Sequence, residues 1–173
     1  RMSSVIRDGE SVQAGTVLGS IVGSTRVLLQ GERPALNLLS HLSAIATATR
    51  AWADALSDST TKVRDTRKTT PGMRILEKYA VRCGGGLNHR MNLSDAALIK
   101  DNHVVAAGGV ARAYELIKQR YPNLPVEVEV DSMDQLAEAL EVGADLVLLD
   151  NFTIAELKSA VDFTGGRAKL EAS

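Results

Sequence analysis

The chain is poor in cysteine, aromatics and net charge, and each shortage excludes something. Its one cysteine, Cys83, cannot close an internal disulfide, which points to a reducing, cytoplasmic setting and away from a disulfide-stapled scaffold. Lys and Arg total 20 against 21 Asp and Glu, a formal charge of −1, so the strongly basic footprint of a nucleic-acid binder is missing. No apolar run approaches the ~20 residues of a membrane helix, and the segment Arg1–Gly9 has no signal-peptide core. His41, His89, His103 and Cys83 are too scattered for zinc spacing. Neither a GxxxxGK phosphate loop nor a GxGxxG strand-turn-helix occurs. The expectation is a soluble protein with neither a membrane nor a nucleic acid as partner.

What is present is an ordinary globular composition, 45% apolar and 24% charged over 173 residues, enough for one domain or one domain and part of another. Aromatics are 3%, so Ala, Leu, Val and Ile must build the core. Charge is unevenly placed. Residues 61–103 hold nine cations and four anions, residues 104–173 six cations and twelve anions. Two solvated faces would account for this, and so would one cleft that binds anions through the first block and a metal or cationic centre through the second.

The first thirty residues read as short strands broken by Gly9, Gly15, Gly19, Gly23 and Gly31. The stretch Asp8–Leu18 resembles half of a biotin- or lipoyl-carrier barrel, but no lysine precedes Lys62, which excludes carrier chemistry. From Pro34, suited to a first helical position, to Leu56 the period becomes helical, with Leu38, Leu42, Ile45, Trp52 and Leu56 on a wide, alanine-rich apolar face. Such a face packs in a core or at a subunit interface. Beyond residue 60, extended pieces near 61–65, 96–99, 126–130, 145–149 and 168–172 alternate with helical patterns near 72–82, 109–121, 133–142 and 154–163. Ser132 with Gln135, and Thr153 with Glu156, have capping-box spacing; Gly143 and Gly165 sit where helices stop. The reading is an α/β chain: parallel βα units forming a doubly wound sheet or part of a barrel, with domains at 1–58 and 59–173.

In parallel α/β folds, ligands sit at the carboxyl ends of the strands. Each predicted strand here runs into charged or polar residues there: Arg67-Lys68-Thr69-Thr70, Lys100-Asp101-Asn102-His103, Asp131-Ser132, Asp150-Asn151 and Glu171-Ala172-Ser173. In Val126-Glu127-Val128-Glu129-Val130-Asp131, alternation puts three valines on one face and three carboxylates on the other. Both faces of a central parallel strand are normally buried, so Glu127, Glu129 and Asp131 should meet cations, a metal or a water-filled mouth. Arg67-Lys68-Thr69-Thr70-Pro71-Gly72 leads into a helix whose free amides and dipole attract anions. Cys83-Gly84-Gly85-Gly86 reads as a flexible turn that presents His89 and Arg90, a pair more often structural than catalytic. Arg74, Lys78 and Arg82 recur every four residues on a helix, which assigns at least one of them to solvated surface. Cys83 has no nearby base to make it a nucleophile.

Five ordered stretches, Arg67–Arg74, Gly84-Gly85-Gly86 through His89-Arg90, Leu98–His103, Val126–Asp131 and Leu148–Phe152, resemble the quinolinate phosphoribosyltransferases over nearly the whole chain. The resemblance implies an enzyme of de novo NAD biosynthesis. Quinolinate attacks phosphoribosyl pyrophosphate, and nicotinate mononucleotide, pyrophosphate and CO2 result. It implies that Arg33, Arg67, His89 and Arg90 hold the quinolinate carboxylates, with Arg33 reaching across from a partner subunit. Lys68 and Lys100 meet carboxylate or pyrophosphate oxygens, and Glu129 and Asp150 hold Mg²⁺ and face the ribose. It also implies part of a small amino-terminal α/β domain, an incomplete α/β barrel, and a homodimer or higher oligomer with shared sites. The family's chains are longer at both ends, and their 5′-phosphate loop is expected beyond Ser173. The alternatives are a paralogue acting on another anionic ring, and a non-catalytic fragment that associates through the Pro34–Leu56 helix.

Overall fold

The computed structural model describes residues 1–173, apart from the side chains of Met2 and Ser4. The chain divides into two compact units, Arg1–Met91 and Asn92–Ser173.

In the first unit, β1 (Met2–Ser4) and β2 (Gly19–Ile21) form an antiparallel pair, followed by one long helix, α1 (Thr25–Ala55), and by α2 (Arg74–Cys83). The reading of residues 1–30 as strands fails from Thr25 onward, because Val27-Leu28-Leu29 lies within α1. Pro34 is interior to that helix and does not start it. A proline removes a single ladder bond, and here a helix of 31 residues absorbs it together with Gly31. The expected strand at 61–65 is reduced to one parallel bridge, Arg64 with Leu87.

The glycine turn after α2 is packed, not flexible. A Cβ on Gly84 would lie 2.4 Å from the Ala46 carbonyl oxygen, and one on Gly86 would lie 2.8 Å from Thr49 Cγ2. Only glycine lets this turn approach the α1 backbone so closely.

The second unit is the predicted βα alternation. Strands β3 (Ala97–Ile99), β4 (Val126–Val130), β5 (Leu146–Leu149) and β6 (Lys169–Ala172) form an open parallel sheet in that spatial order. Helices α3 (Asp101–Ala107), α4 (Val110–Arg120), α5 (Met133–Glu141) and α6 (Ile154–Thr164) connect and follow them. Val126, Val128, Val130, Val147 and Leu149 pack with Val110, Leu136, Ala139 and Ala160 in its core. Thr153 and Glu156 form the reciprocal capping box that their spacing predicts. At Ser132 only half of one forms: Ser132 Oγ accepts from the Gln135 amide at 3.4 Å, but Gln135 Oε1 takes the Asp131 amide instead. Gly143 and Gly165 take positive φ of 78° and 55°, the conformation that ends helices cheaply. Helix α3 was not anticipated; it starts directly at the polar run after Lys100.

Candidate functional site

In the second unit the charged residues gather at the carboxyl ends of the strands. Parallel register sets β3 beside β4 and β4 beside β5, which brings Lys100, the residue after β3, close to Glu129 of β4. Lys100 Nζ donates to Glu129 Oε2 at 2.8 Å. A hollow of about 180 Å³ opens at this edge, lined by Asp101, Glu129, Asp131, Gln135, Asp150 and Asn151. Glu129 and Asp150, predicted separately from two strand ends, therefore share one cavity.

Local structure orients each group. Lys100 is the extended residue before α3, and its amide donates to His103 Nδ1 at 2.9 Å. Asn151 holds a positive φ of 60°, uncommon for a residue with a side chain, and its Nδ2 donates to Asp150 Oδ2 at 2.7 Å. The Asp131 amide donates to Gln135 Oε1 at 3.1 Å. Asp101, Gln135 and Asn151 had no assigned part in the sequence reading; their position just after a strand was the available signal. Of the three carboxylates on β4's alternating face, Glu127 is buried, Glu129 half-buried against Lys100, and Asp131 exposed at the rim.

Among the described residues, Glu129 and Asp150 make one hydrogen bond each, to Lys100 and Asn151. Each therefore keeps a carboxylate oxygen for another ligand. Oxygen donors of this kind, with Asp101 and Asp131 nearby, suit a hard divalent cation that retains water, so the donor set fits magnesium.

In the first unit, Arg67 and Lys68 lie on the segment before α2, and His89 and Arg90 follow the glycine turn. Arg74 of α2 ties both segments down. Its Nη2 donates to the Arg67 carbonyl at 3.3 Å, its Nη1 to the Met91 carbonyl at 3.3 Å, and its Nε to Thr69 Oγ1 at 3.1 Å. Glu77 fastens the next residue, accepting from the Thr70 amide at 3.1 Å and from His41 Nε2 at 2.9 Å. Those bonds, Thr70's first, hold its carboxyl below the ordinary carboxylate range. Arg67 Nε is buried without a hydrogen-bond partner among the described residues. A buried unmet donor costs roughly 1–3 kcal/mol, and an incoming carboxylate oxygen would satisfy it. Lys68 is exposed, and Arg33 is exposed on α1.

These strand-end groups can now be set beside known proteins. The model for the quinolinate phosphoribosyl transferase N-terminal domain matches residues 1–43, and that for the C-terminal domain matches residues 45–173. The chain belongs to the quinolinate phosphoribosyltransferase family. The nicotinate-nucleotide pyrophosphorylase (carboxylating) of Mycobacterium leprae is 51% identical over 156 residues, 90% of this chain and 55% of the relative. The probable enzyme of that name from Bacillus subtilis is 44% identical, covering 96% of this chain and 58% of its own length. NadC from Streptococcus pyogenes superposes with a TM-score of 0.94 at 45% identity, over 100% of this chain and 62% of that one. The nicotinate-nucleotide pyrophosphorylase of Francisella tularensis gives 0.96 at 43% identity, again over 100% of this chain and 62% of that one. The chain thus spans little more than half the length of the curated relatives it matches. The open four-stranded parallel sheet, part of an unclosed α/β barrel, is shared with the matched structures over the length of this chain. Among the described residues, no helix is long and apolar enough to cross a membrane.

Proposed function

We propose that the protein transfers phosphoribose from phosphoribosyl pyrophosphate to quinolinate with loss of CO2, giving nicotinate mononucleotide and pyrophosphate for NAD synthesis. The observation that carries this reading is the buried Nε of half-buried Arg67, an unmet donor among the described residues, at the first of the cations expected to hold a dicarboxylate. Guanidinium forks suit planar carboxylates bidentately. Arg67, His89, Arg90 and a partner's copy of the Arg33 position would hold the two quinolinate carboxylates, with Lys68 meeting carboxylate or pyrophosphate oxygens. Lys100 would meet departing pyrophosphate oxygens. Glu129 and Asp150 would face the ribose and stabilise positive charge that develops on the sugar as the bond to pyrophosphate breaks. The same two carboxylates would hold Mg²⁺, which when bound neutralises the leaving pyrophosphate. A homodimer in the cytoplasm completes the proposal, in keeping with the wide apolar face of α1 and the single cysteine.

Titration calorimetry with quinolinate, beside an Arg67→Ala control, tests it. Saturable binding that weakens at least about tenfold in the control is the expected result. A folded chain that binds no quinolinate would count against the substrate assignment. Formation of nicotinate mononucleotide, assayed with both substrates and MgCl2, then tests the transfer itself.

A further inference from the structure

Arg74 is the first residue of α2, at the end of a helix where the backbone dipole disfavours a cation. It is half-buried, and among the described residues no carboxylate pairs with it. Neither helix stability nor an ion pair accounts for an arginine at this position. Its hydrogen bonds do.

They reach two separate stretches of the first unit. Nε donates to Thr69 Oγ1 at 3.1 Å and Nη2 to the Arg67 carbonyl at 3.3 Å, both on the segment before α2. Nη1 donates to the Met91 carbonyl at 3.3 Å, one residue past Arg90. Thr69 Oγ1 in turn donates to the Arg67 carbonyl at 3.5 Å, so guanidinium, hydroxyl and carbonyl close a ring. The first stretch is tied at other points too. The Lys68 amide donates to Thr66 Oγ1 at 3.0 Å, and the Thr70 amide to Glu77 Oε2 at 3.1 Å. Of these ties, only those of Arg74 also reach the stretch that follows Arg90. A guanidinium is planar and its N–H directions are fixed, so acceptors bound to three of its edges are held at a set spacing. A lysine ammonium carries the same charge on one nitrogen and cannot span acceptors arranged around that fork.

We infer that Arg74 is a positioning residue: its fork sets the spacing between the Arg67–Thr69 stretch and the stretch ending at Met91, and so the spacing at which the two stretches take the two carboxylates of a substrate. The buried, unmet Nε of Arg67 lies on the first of them. The substrate half of this inference rests on the proposed quinolinate reading; the spacing half does not. Arg74 touches no substrate in this account, and the shape of its side chain matters more than its charge.

The test separates shape from charge. Arg74→Lys keeps the cation and loses the fork. Thr69→Val is a milder change that removes the acceptor of Nε and adds no charge. Arg74→Lys should remain folded by thermal melting and bind quinolinate at least about tenfold more weakly by calorimetry. Its backbone ¹⁵N order parameters should fall together over residues 67–69 and 90–91, from about 0.85 toward 0.6. Thr69→Val should weaken binding about threefold and loosen residues 67–69. Arg82→Ala, an exposed position on the same helix, should change neither readout. An Arg74→Lys chain that binds quinolinate as tightly as the unsubstituted chain overturns the inference, because charge then suffices. So does one that melts earlier with affinity and order parameters intact, or one in which a single stretch loosens. If Arg74→Lys does not fold, Thr69→Val decides by its affinity and by the order of residues 67–69. If the unsubstituted chain binds no quinolinate, the substrate reading falls and the order parameters alone decide: joint loosening upholds the spacing role, and unchanged values overturn it.

Discussion

Lys100 Nζ sits 2.8 Å from Glu129 Oε2 at the carboxyl edge of the parallel sheet, on the wall of the hollow that Asp150 also lines. The lysine is 43% exposed, so the pair adds little to stability, under ~1 kcal/mol. Its effect falls on what else Glu129 can hold. Lys100→Met should leave the unfolding midpoint nearly unchanged. It removes a competing cation worth about 1 kcal/mol in a water-like dielectric, so Mg²⁺ should bind roughly five-fold more tightly by calorimetry. On the proposed reaction, phosphoribosyl transfer should fall by about a hundredfold, because the ammonium proposed to meet the leaving pyrophosphate is lost. Weaker Mg²⁺ binding in the variant would mean that Lys100 organises Glu129 and does not compete for it.

Glu77 links the segment before α2 to α1 through Thr70 and His41. Its folded-state pKa is lowered from 4.5, first by the Thr70 hydrogen bond and then by His41. A depressed carboxylate contributes stability above its unfolded pKa and loses that contribution as pH falls through the lower, folded value. Thermal melts from pH 6 downward should therefore show an acid-side loss that begins near 4.5. Glu77→Gln should be less stable at pH 6 by about 1–2 kcal/mol and should show a shallower acid-side loss. Parallel curves for the two proteins would assign the acid loss to other carboxylates.

Gly84 approaches α1 so closely that a methyl group would stand 2.4 Å from the Ala46 carbonyl oxygen and 2.6 Å from Thr49 Cβ. The first of these is backbone and cannot swing aside. Gly84→Ala should cost about 2–3 kcal/mol, measured as a lowered urea midpoint with an unchanged slope. Gly72 makes a useful contrast, since nothing lies within 4 Å of its Cβ position and only its φ of 78° resists substitution. Gly72→Ala should cost about 1 kcal/mol.

Patterns confined to a few neighbouring residues were legible in the sequence. The valine–carboxylate alternation of 126–131 gives β4 and the Glu129 side of the hollow, and Thr153 with Glu156 marks the start of α6. Lys78 was not legible as a core residue. A cation repeating every four residues looks solvated until Asp65, thirteen residues away, is seen against it. The glycine triplet misled for a similar reason, because its close neighbours, Ala46 and Thr49, lie on another helix. Helix α1 began earlier than expected because Gly31 and Pro34 are breakers by local rule, and a long helix tolerates both. Helix α3 starts on residues that also read as a strand-end loop, so their polarity disguised their helicity.

Tyr79 and Asp8 give a spectroscopic handle on the packing of the amino-terminal segment. Tyr79 Oη donates to Asp8 Oδ2 at 2.5 Å, joining two positions 71 residues apart. The neutral phenol is the donor, so the bond favours the protonated form, and Cys83 reinforces the effect. Together they push the phenol up to about 12. For a group whose pKa is raised on folding, the stabilisation is complete below the unfolded value, near 10.0, and fades as pH climbs through the folded one. In Asp8→Asn the carboxylate is gone but the side-chain oxygen stays. Tyr79 should then ionise closer to 10.0, seen as phenolate absorbance that rises earlier in alkaline titration. Of the three tyrosines, only one transition should move. An unmoved titration would mean that the bond from Tyr79 to Asp8 does not hold the phenol protonated in solution.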